Sequence, residues 1–434
     1  MTVFTRSRAG KVLGAIAVAG ASAVVLAGCA GNPAPSDSPS SNAPVETRDL
    51  TLKIGTILPQ SGTLSFLGPP EEAGVGLAAA DINEVSETTG LTMADIIWGD
   101  SGDATNNAWQ TTAPRLISEK VSAAIGAASS GVSKLFLDDM IAAGIITFSP
   151  ANTSADFTTW DDNGLYWRTA PSDVLQGEVL GNLIAEDQHE NVASIYLNDS
   201  YGTGLNKFFT EAFEGAGGKV VESQSFNAGD TSFDAQISAV MAQNPDAIAL
   251  ITFDEVYTIA PALIAAGYPA EDLYFVDGNL KQFGADDKWP SGVSLEGAKG
   301  TTPAGPSTPD EFQARLKEFW KTAPTSDGSD LTDFTYANES YDAVVLIALA
   351  ALKANSTDAA DIAANLQAVS GGGDSAGEKC TTFADCADII LAGGEADYDG
   401  FSGPITFDEN GDPTEATIGI FQFGADNNFT RIDL

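Results

Sequence analysis

Where short apolar runs give way to helix-forming segments, this chain repeatedly places a hydroxyl, an aromatic ring or a carboxylate. Ser130 and Ser133 follow the run 123–126, and Ala151 and Thr153 follow 145–149. Tyr201 follows 192–197, Phe253 and Asp254 close 247–253, and Asp277 closes the run that starts at 274. Hydroxyls and backbone N–H groups at helix starts suit a guest carboxylate, and a tyrosine ring can cover a guest while its hydroxyl donates. Burying the two charges of a zwitterion without partners costs several kcal/mol, so such a guest would need a full set of these groups. Each residue also has a plainer use. Ser130 can cap a helix, and Thr153 and Asp277 can shape turns.

Other chemistries are poorly supplied. The one histidine, His189, lies in the polar run 186–191 and reads as a solvated helix end. With no Gly-x-Ser-x-Gly turn either, an activated nucleophile has no base, so the chain is not expected to be an enzyme. The small-residue stretch 126–133 lacks the Lys and following Ser or Thr of a phosphate-binding loop. Residues 408–412 hint at a calcium loop, but position twelve of such a loop is Gly419 rather than Glu. No metal and no cofactor are expected.

The elements that must position these residues alternate. Strands at 52–58, 96–98, 123–126 and 145–149 are interleaved with helices at 71–85, 106–119 and 132–143. A second series has strands at 192–197, 220–226, 247–253 and 274–276, with helices at 204–215, 233–243 and 256–266. Such alternation implies parallel sheets covered on both faces, and its repetition implies two doubly wound lobes. In such sheets ligands bind at the carboxyl ends of strands, where the residues above fall. The last third changes rhythm: helices at 309–321, 336–354 and 357–369, then strands at 403–408 and 416–423 around the turn Asn410-Gly411. It must pack on lobes already begun. The fold class expected is therefore α/β, with two doubly wound parallel-sheet lobes joined by a multi-strand hinge. The expected divisions are lobe 1 over 50–170, lobe 2 over 171–300, a return to lobe 1 over 301–410, and strands over 411–434 crossing back to lobe 2.

The chain opens with Arg6, Arg8 and Lys11 before an apolar run at 12–26, the pattern of a secretory leader. The run ends in Leu26-Ala27-Gly28-Cys29, which resembles a bacterial lipobox. That resemblance implies a leader over 1–28, a lipidated Cys29 and an extracytoplasmic, membrane-anchored protein. Residues 29–49, rich in Pro, Ser and Asn, read as a flexible tether. Sixty acidic against 20 basic side chains give a formal charge of −40, which repels phosphate backbones and excludes nucleic acid as a partner. The remaining cysteines, Cys380 and Cys386, form an even pair in an exported chain and read as a disulfide.

A family resemblance joins these observations. The opening stretch Lys53-Ile54-Gly55-Thr56-Ile57-Leu58-Pro59-Gln60-Ser61-Gly62, with Ala80-Asp81-Ile82-Asn83, resembles the branched-chain amino-acid-binding proteins of ABC transporters, which have the type 1 periplasmic binding fold. So do Ser129-Ser130-Gly131-Val132-Ser133, Ser149-Pro150-Ala151-Asn152-Thr153-Ser154, Tyr166-Trp167-Arg168-Thr169, Asp199-Ser200-Tyr201-Gly202 and Gly403-Pro404-Ile405-Thr406-Phe407-Asp408. The resemblance implies a monomeric solute-binding component of an importer, closing like a hinge on a small amino acid and meeting ABC permease subunits. It assigns the ligand carboxylate to Ser130 and Thr153, and the ammonium to the Ala151 carbonyl and Asp277, with Asn279 as the alternative to Asp277. Tyr201 and Phe253 complete the cage, and Leu64, Phe66 and Leu67 are candidates for the side-chain pocket. A ligand sensor of the same fold, or a binder of an amide, urea or aromatic acid, stays open.

Overall fold

The computed structural model describes residues 48–303, 308–373 and 376–433; Cys29, the leader and most of the tether lie outside them. The fold is α/β, two doubly wound lobes. In the first, strands Ile54–Ile57, Ala123–Gly126, Ile146–Ser149 and Tyr166–Arg168 lie side by side in that order, all parallel. Successive residues of a strand face opposite layers. Ala123 and Ile125 accordingly enter one apolar cluster while Ala124 enters another, on the opposite face. The helices Trp109–Glu119 and Ser130–Ala142 cover the second face.

The first face is covered by a helix from far along the chain. Every residue of Ala337–Ala354 from Ala337 to Leu352 is buried. Its partner is the helix Gly68–Glu84, where a Cβ added at Gly74 would lie 2.4 Å from the Ala337 carbonyl oxygen, so only glycine permits the approach.

The second lobe is a seven-stranded sheet in the order Phe429–Arg431, Ile418–Phe423, Lys299–Pro303, Leu273–Val276, Ala247–Ile251, Asn191–Leu197, Lys219–Phe226. The five strands from Lys299–Pro303 onward are parallel; Ile418–Phe423 pairs antiparallel with Lys299–Pro303 and with Phe429–Arg431. Among the described residues the chain passes between the lobes three times. It does so after Tyr166–Arg168, between Lys299–Pro303 and Asp310–Trp320, and between Phe407 and Ile418–Phe423.

Several local expectations are corrected. The strand expected at 96–98 is not one: Leu91–Met93 pairs with Leu50–Leu52, and Ile97 makes only an isolated parallel bridge to Gly55. The runs 403–408 and 416–423 do not form a hairpin together. Asn410-Gly411 does turn the chain, with a single bridge between Phe407 and Pro413, but Ile418–Phe423 then joins the other sheet. His189 is not solvated; its ring is half-buried, with Nε2 3.1 Å from the Tyr274 hydroxyl. Cys380 and Cys386 are disulfide-bonded, their Cα atoms 5.4 Å apart, at the start of a helix Phe383–Leu391 that their spacing does not announce.

Candidate functional site

The first lobe's contribution hangs from two strand ends. Ser129, not Ser130, caps the helix Ser130–Ala142, accepting from Val132 N at 3.3 Å. That frees Ser130, whose hydroxyl oxygen accepts from Ser154 N at 3.2 Å and leaves its O–H to donate elsewhere. After Ile146–Ser149, the Ser149 hydroxyl donates to Ala127 O and accepts from Asn152 N at 2.8 Å. The Asn152 amide donates to Ala127 O and Ala128 O, so the two loops are stapled together.

A fully buried arginine fixes the far side of the second loop. Arg168 donates to Asn152 O and Ser154 O, and Nε and Nη2 reach the two Asp412 carboxylate oxygens at 2.6 and 2.8 Å. Bidentate pairing of this kind is strong and directional. Between these ties Thr153 Oγ1 is buried, with the Asp173 carboxyl beside it. A hydroxyl so placed is costly unless something meets it.

In the second lobe, Tyr201 sits in the first turn of the helix Ser200–Gly215, its ring stacked on Phe253 at 5.3 Å. Its hydroxyl donates to Asp277 Oδ1 at 2.7 Å. Gln176 donates to the same oxygen at 3.1 Å, and the Tyr336 hydroxyl donates to Asp277 Oδ2 at 2.9 Å. Asn279 does not compete for this place. It is buried in the sheet, donating to Leu250 O and Thr252 Oγ1 and accepting from Val276 N.

These groups meet. Ser130, Ala151, Thr153, Tyr201, Phe253 and Asp277 all line one small, tightly closed cavity. Leu64, Leu67 and Ala128 form its apolar wall, and Phe66 of the same first loop lies outside it. The lobes are closed around it. The Ser154 hydroxyl donates to Ser200 O at 3.3 Å across the cleft, and a Cβ added at Gly131 would lie 2.6 Å from Asp199 Oδ2.

The electrostatics are one-sided. Burial raises Asp277, while hydrogen bonds from Tyr201, Tyr336 and Gln176 hold it back toward the ionised form. Burial, and then the Asp277 charge, raise the neighbouring Asp173 well above the carboxylate range, against the opposing effect of the Thr153 side chain. Burial beside Asp277 also pushes Tyr201 and Tyr336 up, which keeps both as donors. One carboxyl group, Asp277, faces hydroxyls across a small, partly apolar space. That arrangement can neutralise an ammonium and solvate a carboxylate.

Sequence reasoning missed Tyr336, Gln176 and Asp173. Tyr336 precedes the helix Ala337–Ala354 at φ +61°, a left-handed conformation costly for an aromatic residue, and reaches Asp277 from the other lobe. Gln176 and Asp173 lie in the helix Asp173–Glu186, whose signal was present: Ser172 caps it, accepting from Val174 N.

Comparison with known proteins agrees with this architecture. The profile of a family described as periplasmic binding protein matches residues 51–427. A leucine-, isoleucine-, valine-, threonine- and alanine-binding protein of Pseudomonas aeruginosa is 28% identical over 189 residues, which cover 43% of this chain and 50% of that protein. The match thus spans about half the length of that relative. The chemotactic signal transduction system substrate-binding protein BasB of Halobacterium salinarum is 23% identical over 82% of this chain and 83% of its own. Among solved structures, the leucine-binding protein LivK of Thermotoga maritima superposes with a TM-score of 0.69 at 22% identity, covering 88% of this chain and 97% of that one. The substrate-binding protein LivJ of Streptococcus pneumoniae, with isoleucine, gives 0.67 at 21%, covering 88% and 99%.

Proposed function

The chain belongs to the periplasmic binding protein family, whose members here are binding proteins rather than enzymes, and from that premise we propose that it captures a small amino acid, branched-chain or aliphatic, by closing its two lobes. The observation that carries this reading is the cavity that joins Ser130 and the buried Thr153 hydroxyl to Asp277. In it, Ser130, Thr153 and the backbone N–H groups of the Ser130 helix take the carboxylate. The Ala151 carbonyl and Asp277 take the ammonium, while Leu64, Leu67 and Phe253 face the side chain. An aromatic acid without an ammonium would set its carboxylate in the same closed space as Asp277 with no cation between, which the charges oppose. An amide or urea would use only half the site. Closure is driven by differential contact, since an open cleft offers the guest one lobe's partners only.

The likeness to a protein that binds leucine, isoleucine, valine, threonine and alanine supports the ligand class. In this reading the protein acts alone as the extracytoplasmic component of an ABC importer and delivers its guest to permease subunits. Cys29 carries the lipid that holds it to the membrane. The similarity to BasB over most of both chains favours a second reading, a sensor of the same fold that signals to a membrane receptor. Mass spectrometry of the small molecule that copurifies, followed by calorimetric titration with an amino-acid panel, tests the ligand class; binding of none of the panel overturns it. Cys29→Ser is expected to leave an unprocessed precursor or a released protein. A processed, lipid-labelled Cys29→Ser protein in the membrane fraction rules the anchor out. A neighbouring permease and ATPase, against a neighbouring receptor, separates import from sensing.

A further inference from the structure

Away from the cavity, the cleft is spanned by a second contact that ligand chemistry does not require. Lys281 follows the strand Leu273–Val276 in the second lobe, and its side chain is 6% exposed. Its ammonium is bonded to Asp254 of the same lobe and lies 4.8 Å from the centroid of the Tyr257 ring. The remaining face is filled from the opposite lobe. Phe66 presents its ring 4.0 Å from Lys281 Nζ. Burying an ammonium is costly unless every side of it is compensated, and aromatic faces supply that compensation. Asp254 and Tyr257 stay with Lys281 whether the lobes are open or closed. Phe66 is available only when they are closed.

Phe66 lies between Leu64 and Leu67, the two first-lobe leucines of the cavity's apolar wall, and both leucines pack in the second lobe's buried cluster. Resting on the reading of the cleft as a closing ligand site, we propose that Lys281 is a positioning residue that grips the Phe66 ring, draws the loop carrying Leu64 and Leu67 against the second lobe, and so holds a fraction of the ligand-free protein closed with its apolar wall in place. The contact gives the closed state an advantage independent of what is bound. It therefore acts on affinity through the closed fraction, and equally for every ligand.

The test uses the full chain in detergent, with one dye on each lobe, and reads the closed fraction by single-molecule energy transfer without ligand. Lys281→Met keeps the stem and loses the charge; Phe66→Leu keeps bulk and loses the ring. Both are expected to lower the closed fraction and to weaken binding of L-leucine and L-alanine by the same factor, roughly three- to thirty-fold. Lys281→Arg and Phe66→Trp, which keep a cation and a ring, are expected to restore wild-type closure. A purely packing role would make Phe66→Leu milder than Phe66→Trp, the reverse order. The proposal is overturned if ligand-free wild type is wholly open, if Phe66→Leu closes as wild type does, or if Lys281→Arg fails to rescue. Should no amino acid bind, the ligand reading fails, and the energy-transfer measurement still decides the role of Lys281.

Discussion

Asp277→Asn is the perturbation that isolates the charge from the shape of the site. Asp277 is 5% exposed and accepts from Tyr201, Gln176 and Tyr336. An asparagine keeps one oxygen for Tyr201 and Gln176 and turns its amide toward the Tyr336 hydroxyl, which can rotate to accept. Net loss of folding stability should then stay within about 1 kcal/mol, the worth of one exchanged hydrogen bond. Binding is different, because the variant has no anion for the ammonium in a space closed to water. Truncating one side of a buried charge pair costs about 2–5 kcal/mol, which corresponds to roughly 30- to 5,000-fold in Kd. Calorimetry with L-leucine and with its desamino analogue, 4-methylpentanoate, reads this directly: the variant should lose leucine and gain, relative to wild type, the analogue. The pH dependence has a definite sign. Asp277 is raised from 3.8, so as pH falls through its pKa the carboxylate takes a proton and wild-type affinity for leucine falls, whereas the variant shows no such step. An Asp277→Asn protein that binds leucine within threefold of wild type would refute the assignment of the ammonium to this residue.

Other perturbations test the scaffold. Arg168→Met strands Asp412 and three oxygen acceptors in a buried place, and is expected to cost about 3–5 kcal/mol in denaturant unfolding, with Asp412→Asn less severe; an unchanged midpoint would remove the clamp from the account. Burial pushes Glu339 up to about 8, so between the unfolded value near 4.5 and that pKa the folded state holds a proton the unfolded state has lost. Stability from this group is present at low pH and falls as pH rises through that window, by at most about 1.4 kcal/mol per pH unit. Glu339→Gln should flatten the fall in Tm between pH 6 and 8, and an identical slope in both proteins counts against it. Cys380→Ser opens a loop of sequence separation 6, which chain-entropy estimates value at about 2 kcal/mol; unfolding midpoints should drop while leucine affinity holds, and a large affinity loss would contradict a purely local role.

The rule that guests sit beyond the carboxyl ends of parallel strands was enough to bring six residues from five loops around one cavity, because strand ends are readable as places where apolar runs stop. Ser130 could be told from a helix cap only in three dimensions, where Ser129 takes the capping bond. Asp277 was preferred to Asn279, two residues on, by resemblance alone, and only hydrogen bonding, which sets Asn279 into the sheet, separates their roles. Tyr336 was out of reach, since its value depends on a long-range return of the chain and on a left-handed backbone that no neighbouring glycine signals. Short runs such as 96–98 and 416–423 announced extended chain without naming their neighbours, and pairing is a tertiary choice.

The late arrival of the helix Ala337–Ala354 at the centre of the first lobe bears on how the chain is made. Its Tyr341 hydroxyl donates to Asp81 Oδ2 across 260 residues of sequence. At 5–20 residues per second, synthesis leaves the apolar face of Gly68–Glu84 without its mate for about 13–50 s. No stretch of the nascent polypeptide ahead of that helix can complete the first lobe, and the long loop that must close slows collapse further. A chain whose centrepiece arrives this late keeps its first lobe unfinished for most of its synthesis.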